Sequence, residues 1–260
     1  MSDRPAASLQ ETLAAWIADQ LADGECVWAG TNLPVPRARM LLAHWTDAPN
    51  LRVLLSFYQH NFSGGRSPPS SDMFADGRLR HGSEMNVMNH RGEAFSHILD
   101  IDVFFVGGLQ VDRYGNTNLI GICDGDGGFK LRGAGPAGAT SFSADAQRYY
   151  VYTTRHTKRS FVEEVDFVST VGPARRRELD LPGGGPEKVI SPLGIFGFAD
   201  DELELEATMP GLSTADVQEA TGFNLQVADD VVDVPAPTDE QLDVLRNRVD
   251  PDGYLRETND

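Results

Sequence analysis

The 260 residues carry 22 Lys+Arg against 39 Asp+Glu, a formal net charge of −17, with 40% apolar and 23% charged side chains. That is chain enough for a single α/β domain over residues 1–260 with a full core, and no apolar run approaches the ~20 residues of a membrane-spanning helix. Residues 199–260 hold 17 acids and 3 bases, a surface that repels a phosphate backbone and argues against nucleic acid as a partner.

From the N-terminus, Met1 to Ala7 has no apolar core or cleavage signal of a secretory leader, so a cytoplasmic protein is expected. Ser8-Leu9-Gln10-Glu11 forms a capping box and predicts a helix to about Ala22, with Leu13, Trp16, Ile17 and Leu21 on its apolar face. Cys26 to Ala29 reads as a short buried strand, Pro36 to Trp45 as a helix and Leu51 to Leu55 as the next strand. Strands that are continuously apolar rather than alternating belong to a parallel sheet covered on both faces. The expected fold is therefore α/β, an open, mostly parallel sheet with helices on both faces. Further along, Glu93 to Leu99 reads as a helix, and Val103 to Val106, Tyr149 to Thr153 and Phe161 to Val168 supply strands. Gly183-Gly184-Gly185 reads as a flexible surface turn, Leu203 to Met209 as a strand with one wet face, and Thr238 to Gln241 as a second capping box before a last amphipathic helix carrying Leu242, Leu245 and Val249. Cys26 and Cys123 lie in apolar stretches without a CxxC, and are expected as buried, reduced thiols. His81, His90 and His97 lack the spacing of a metal site, and none is expected.

The run Gly107-Gly108-Leu109-Gln110-Val111-Asp112-Arg113-Tyr114-Gly115-Asn116-Thr117-Asn118 resembles the GG-x-Q-x-D-x-YGN-x-N segment of beta-type subunits in the class I CoA-transferase superfamily. Gly30-Thr31-Asn32-Leu33-Pro34 is similar to the family's GTxLP loop, and Gly133-Ala134-Gly135-Pro136-Ala137 to its G-S-G-G-A turn. His156 to Phe161, Val165-Asp166-Phe167-Val168, Thr221-Gly222-Phe223 and Asp250-Pro251 match further motifs, so the resemblance spans nearly the whole chain. It implies a CoA-transferase-like fold, an alpha-type partner subunit and an interfacial site for acyl-CoA, with coenzyme A as part of the substrate and no permanently bound cofactor.

The resemblance also exposes a departure. CoA transfer needs a beta-subunit glutamate, whose carboxylate forms an anhydride and then a glutamyl thioester. Read without gaps, that position is Ser56, with Tyr58 in place of a following glycine, and no acid lies between Asp47 and Asp72. A branch of the superfamily is similar in this loss and hydrolyses a carbon–carbon bond in a ring-bearing, steroid-derived acyl-CoA. Such chemistry needs a base and donors to an enolate. Ser56 and the Gln110 amide fit as donors, and Glu84 is the acid to test as a replacement base. The rivals are a true transferase whose glutamate lies elsewhere and a non-catalytic subunit completing an alpha-subunit site. Gly133, Gly135 and Gly138 either let the CoA moiety approach the backbone or only form a tight turn. Asp112, Gly115, Asn116 and Asn118 read as turn builders. Arg175-Arg176-Arg177 reads as a solvated face, with an anchor for CoA as the alternative.

Overall fold

The computed structural model describes residues 6–30, 33–55, 59–62, 83–86 and 101–257. The chain divides into two units, one formed by Met1–Ile101 with Pro235–Asp260 and the other by Asp102–Val234. The first opens with α1 (Leu9–Ala18), β1 (Cys26–Ala29), α2 (Pro34–Trp45) and β2 (Arg52–Leu55). Strands β3 (Gln59–Phe62) and β4 (Ser83–Asn86) follow. The second unit contains β5 (Val103–Gly107), β6 (Gln110–Asp112), β7 (Thr117–Asn118), β8 (Gly121–Cys123) and β9 (Phe129–Arg132). It continues through α3 (Ala139–Asp145), β10 (Arg148–Tyr152), β11 (Phe161–Val162), α4 (Pro173–Glu178) and β12 (Pro186–Ile190). It closes with β13 (Gly194–Ala199), β14 (Glu202–Thr208), α5 (Thr214–Ala220) and β15 (Gln226–Asp233). The chain then returns to the first unit as α6 (Asp239–Val244), a π-helical turn (Leu245–Val249) and α7 (Tyr254–Glu257).

In the first unit β1 and β2 run parallel, and β3 and β4 add antiparallel. All four residues of β1 are buried, as their unbroken apolar sequence requires of a strand covered on both faces. Ser8 caps α1 as expected, its side chain accepting from the Glu11 amide while the Glu11 carboxylate accepts from the Ser8 amide. The helix stops at Ala18, short of Ala22, because the Gln20 and Leu21 amides turn to Ile17 and Ala18 in a tightened last turn. The closing segment fastens onto α1. Arg246 grips the buried Glu11 carboxylate through two nitrogens at 2.7 and 2.8 Å, and the Ser8 hydroxyl donates to the Leu255 carbonyl. The second capping box, Thr238 with Gln241, is also present.

In the second unit β5, β10 and β12 run parallel, β13 and β14 join antiparallel, and β15 lies parallel to β14. Val103 to Val106 are buried, whereas β14 alternates, with Leu203 and Leu205 inside and its acids outside. Two small sheets stand beside this one. Strand β6 pairs with β7 antiparallel and with β11 in parallel, while β8 and β9 form a hairpin. No helix among the described residues is long and apolar enough to cross a membrane.

Four expectations are corrected in this unit. Phe161 to Val168 is not one strand: pairing ends at Val162, and the Asp166 amide donates to the Gln110 side chain instead of a ladder. Cys123 is exposed, because it ends β8 rather than entering the core, while Cys26 is buried as expected and the two form no disulfide. Arg176 is 5% exposed, not solvated, and its guanidinium donates to the carbonyls of Ser143, Ala144 and Gly183. Gly183 and Gly184 therefore form a packed turn, since a Cβ at either would overlap the carbonyls of Ala146 or Gln147. The helix expected at 93–99 and the histidines at 81, 90 and 97 lie outside the described residues.

Candidate functional site

The turn between β6 and β7 is built by the side chains that the sequence marks. The Asp112 carboxylate is 1% exposed, and its Oδ1 accepts from the amides of Tyr114 (3.0 Å) and Asn116 (2.9 Å). Its Oδ2 accepts from Asn116 Nδ2 at 2.9 Å, and Asn116 Oδ1 accepts from the Gly172 amide. Burial pushes the Asp112 carboxyl up, against the pull of these hydrogen bonds. Gly115 has φ +75, and a Cβ there would sit 2.5 Å from the Phe198 ring, so both conformation and space demand glycine. A shallow pocket of about 220 Å³ opens beside the turn, with Asp112, Tyr114, Glu163, Glu164 and Arg175 among its walls.

Beyond the turn, Gln110 and Asn118 face one another across the hairpin register. Asn118 Nδ2 donates to Gln110 Oε1 at 2.6 Å and to the Gly121 carbonyl at 2.7 Å, while its Oδ1 accepts from the amides of Ile120 and Gly121. Gln110 Oε1 also accepts from the Asp166 amide at 3.2 Å. Its Nε2 reaches Asp166 Oδ2 at 3.4 Å, a long bond that leaves a second N–H to give. The segment thus pinned receives the glycine loop: the Gly133 amide donates to the Ile120 carbonyl and the Gly135 amide to the Leu119 carbonyl. A Cβ on Gly133 would overlap Leu119 and Leu109, whereas Gly135 faces open space at φ +83, and Gly138 caps α3. Ala137 holds φ 47, a left-handed conformation that costs a non-glycine residue of order 1 kcal/mol or more.

His156 supports the same unit from within. It is 7% exposed and stacks on Phe161 with ring centroids 3.6 Å apart. Its Nδ1 lies 2.8 Å from the Ser191 hydroxyl and its Nε2 3.0 Å from the Thr221 hydroxyl, and each hydroxyl also reaches a backbone carbonyl, that of Gly194 and of Val217. Burial pushes the imidazole down to about 3, so it is neutral at physiological pH.

The structure therefore brings Gln110 and the Gly133–Gly138 loop into one hydrogen-bonded assembly. Ser56 and Tyr58 lie outside the described residues, and Glu84 falls in β4, which is described by its backbone alone. Asp112, Gly115, Asn116 and Asn118 are the turn builders that were expected. Sequence reasoning missed Asp166 as a partner of Gln110; its only signal was its place in the Val-Asp-Phe-Val motif, read there as strand. Among the described residues no cluster of His, Cys, Asp and Glu could hold a metal ion.

Comparison with known proteins gives this arrangement its family. The chain is 30% identical over 248 residues to the beta subunit of 3-oxoadipate CoA-transferase from Pseudomonas knackmussii, covering 92% of each chain. It is 29% identical to the beta subunit of glutaconate CoA-transferase from Acidaminococcus fermentans over 96% of each. The chain belongs to the family of CoA-transferase beta subunits. The crystal structure of glutaconate CoA-transferase superposes with a TM-score of 0.82 at 28% identity, over 96% of this chain and 97% of that one. That of the decarboxylase AibA/AibB gives 0.81 at 27% identity, over 95% and 97%. A shorter match, 33% identical over 155 residues, covers 56% of this chain and 59% of the cholesterol ring-cleaving hydrolase IpdB subunit of Mycobacterium bovis. These relatives are subunits of heteromeric enzymes, and the CoA-transferase-like α/β fold expected from the sequence is the one the chain adopts. No family profile matches the chain.

Proposed function

We propose that this chain is the beta-type subunit of a heteromeric, cytoplasmic enzyme that opens a ring of a cyclic, steroid-derived acyl-CoA by hydrolysing a carbon–carbon bond, with an alpha-type partner. One observation carries the reading: no acid lies between Asp47 and Asp72, and the resemblance, read without gaps, puts Ser56 where the family carries its nucleophilic glutamate. A serine hydroxyl cannot carry CoA through an anhydride and a glutamyl thioester. It can donate a hydrogen bond to the enolate that forms when a β-dicarbonyl bond breaks. Gln110 contributes its spare N–H as a second donor, Glu84 is the candidate base on this chain, and the backbone at Gly133, Gly135 and Gly138 receives the CoA moiety.

Decarboxylation of the acyl group is the second reading, favoured by the likeness to AibA/AibB over 95% of the chain. It too passes through an enolate and needs no glutamyl thioester. The test uses the chain purified with its alpha-type partner and a panel of acyl-CoAs in ¹⁸O-labelled water, with and without free carboxylic acids. Ring opening is expected to place ¹⁸O in a product that still carries CoA, without any acceptor. Release of CO₂ would select decarboxylation, and CoA appearing on an added acid would restore the transferase. Turnover unchanged within about twofold in both Ser56→Ala and Gln110→Ala would make the chain a non-catalytic subunit.

A further inference from the structure

The Val165–Val168 segment has no role in the chemistry above, yet its aspartate is the point at which three separate stretches of backbone meet. Asp166 Oδ2 accepts from the Cys123 amide at 2.9 Å and from Gln110 Nε2 at 3.4 Å, while the Asp166 amide donates to Gln110 Oε1. Gln110 passes the restraint to Asn118, whose Oδ1 and Nδ2 fix the amides of Ile120 and Gly121 and the carbonyl of Gly121. Just beyond the same motif, the Ser169 hydroxyl accepts from the Leu119 amide, and its carbonyl accepts from Thr140 at the start of α3. Leu119 and Ile120 are thus held on their amide side by side chains, and their carbonyls carry the amides of Gly135 and Gly133.

We propose that Asp166 is a positioning residue that sets the Gly133–Gly138 loop for the acyl-CoA, acting through Gln110 and the Leu119–Cys123 backbone. The inference rests on the reading of that loop as the CoA contact. Several features fit this role better than that of a general fastener. Asp166 is an exposed side chain, so it buries no charge and fills no core. It holds Cys123, the last residue of β8, from outside the hairpin's own ladder. The loop it serves is also conformationally costly at Ala137, which holds a positive φ, so without restraint it is expected to relax to other backbone conformations.

The test compares Asp166→Ala with Asp166→Asn in the complex with the partner subunit. The alanine removes both acceptor bonds. The asparagine keeps one carbonyl oxygen able to accept from Cys123 and Gln110, and is the rescue. In Asp166→Ala the amides of Gly133 and Gly135 are expected to exchange with deuterium about tenfold faster, and the KM for acyl-CoA to rise about tenfold. Asp166→Asn should restore both to within about threefold. Unchanged exchange at Gly133 and Gly135 overturns the positioning role and leaves the loop's contact with CoA standing. Faster exchange with unchanged KM overturns the proposal from the other side, since the loop would then move without affecting CoA.

Discussion

Replacing His156 by glutamine while lowering the pH gives a direct measure of the buried imidazole. Its two nitrogens meet the neutral hydroxyls of Ser191 and Thr221, and the ring is buried against Phe161 and Phe196. The folded value of about 3 lies below the ordinary 6.5, so between these limits the unfolded chain binds the extra proton and the folded chain does not. The contribution of His156 is therefore complete above pH 6.5 and is lost progressively as the pH falls toward 3. At pH 5.5 the unfolded imidazole is mostly protonated, and the loss is about 1.4 kcal/mol; the whole window amounts to about 5 kcal/mol. His156→Gln forfeits the ring stacking at every pH but cannot titrate. Urea unfolding of both proteins at pH 7.5 and 5.5 should show the stability gap between them narrowing by about 1.4 kcal/mol at the lower pH, other groups cancelling in the difference. A gap that stays constant to within about 0.5 kcal/mol would refute the buried neutral histidine. The C2 proton resonance of His156 should likewise stay fixed across that interval.

Other expectations follow from single contacts. Arg176→Ala takes the guanidinium donor from the carbonyls of Ser143, Ala144 and Gly183, of which Ala144 keeps the Gly183 amide, and should cost about 2 to 3 kcal/mol in urea unfolding. Gly135→Ala meets only the strain of a positive φ, about 1 kcal/mol, whereas Gly133→Ala must push Leu119 and Leu109 aside. Melting curves should rank Gly133→Ala as the more destabilised of the two, and its KM for acyl-CoA should rise further. Burial raises the Glu11 carboxyl, but Arg246 and the Ser8 amide outweigh it and hold the group below the ordinary 4.5. Its contribution is thus present above pH 4.5 and fades as the pH falls through the lowered value. Glu11→Gln should cost about 2 kcal/mol at pH 7 and progressively less in acid, read by denaturant midpoints.

What the sequence revealed and what it concealed divide along the range of the interactions. Ser8 with Glu11 and Thr238 with Gln241 are contacts between residues three apart, so their chemistry is written in the order of the letters. The buried strands were legible for a related reason: an unbroken Cys-Val-Trp-Ala or Val-Phe-Phe-Val has no wet face to offer. Arg176 was misread because its three acceptors lie 7 to 33 residues away, and only the fold makes a polar cavity of them. Asp166 was hidden in the same way, 56 residues from Gln110. Cys123 sits in an apolar stretch, but a two-stranded hairpin with an exposed second strand cannot bury it.

The motif that revealed the family is spent on architecture. Asp112 gives both carboxylate oxygens to its own turn, Asn116 ties that turn to Gly172, Asn118 spends its amide on Gln110 and the 120–121 backbone, and Gly115 is required by Phe198. None of these groups has to change when the reaction changes. That explains how transferase subunits and a decarboxylase can superpose on one chain with TM-scores of 0.82 and 0.81. On the function proposed above, the reaction is chosen elsewhere, by the residue at position 56 and by what the partner subunit presents to the acyl group. A carboxylate at position 56 makes a covalent CoA carrier possible, and a hydroxyl there forbids it while keeping a donor for an enolate. On this reasoning Ser56→Glu is the informative exchange: CoA transfer to an added acid in that variant would show that the scaffold held everything for transfer except its nucleophile.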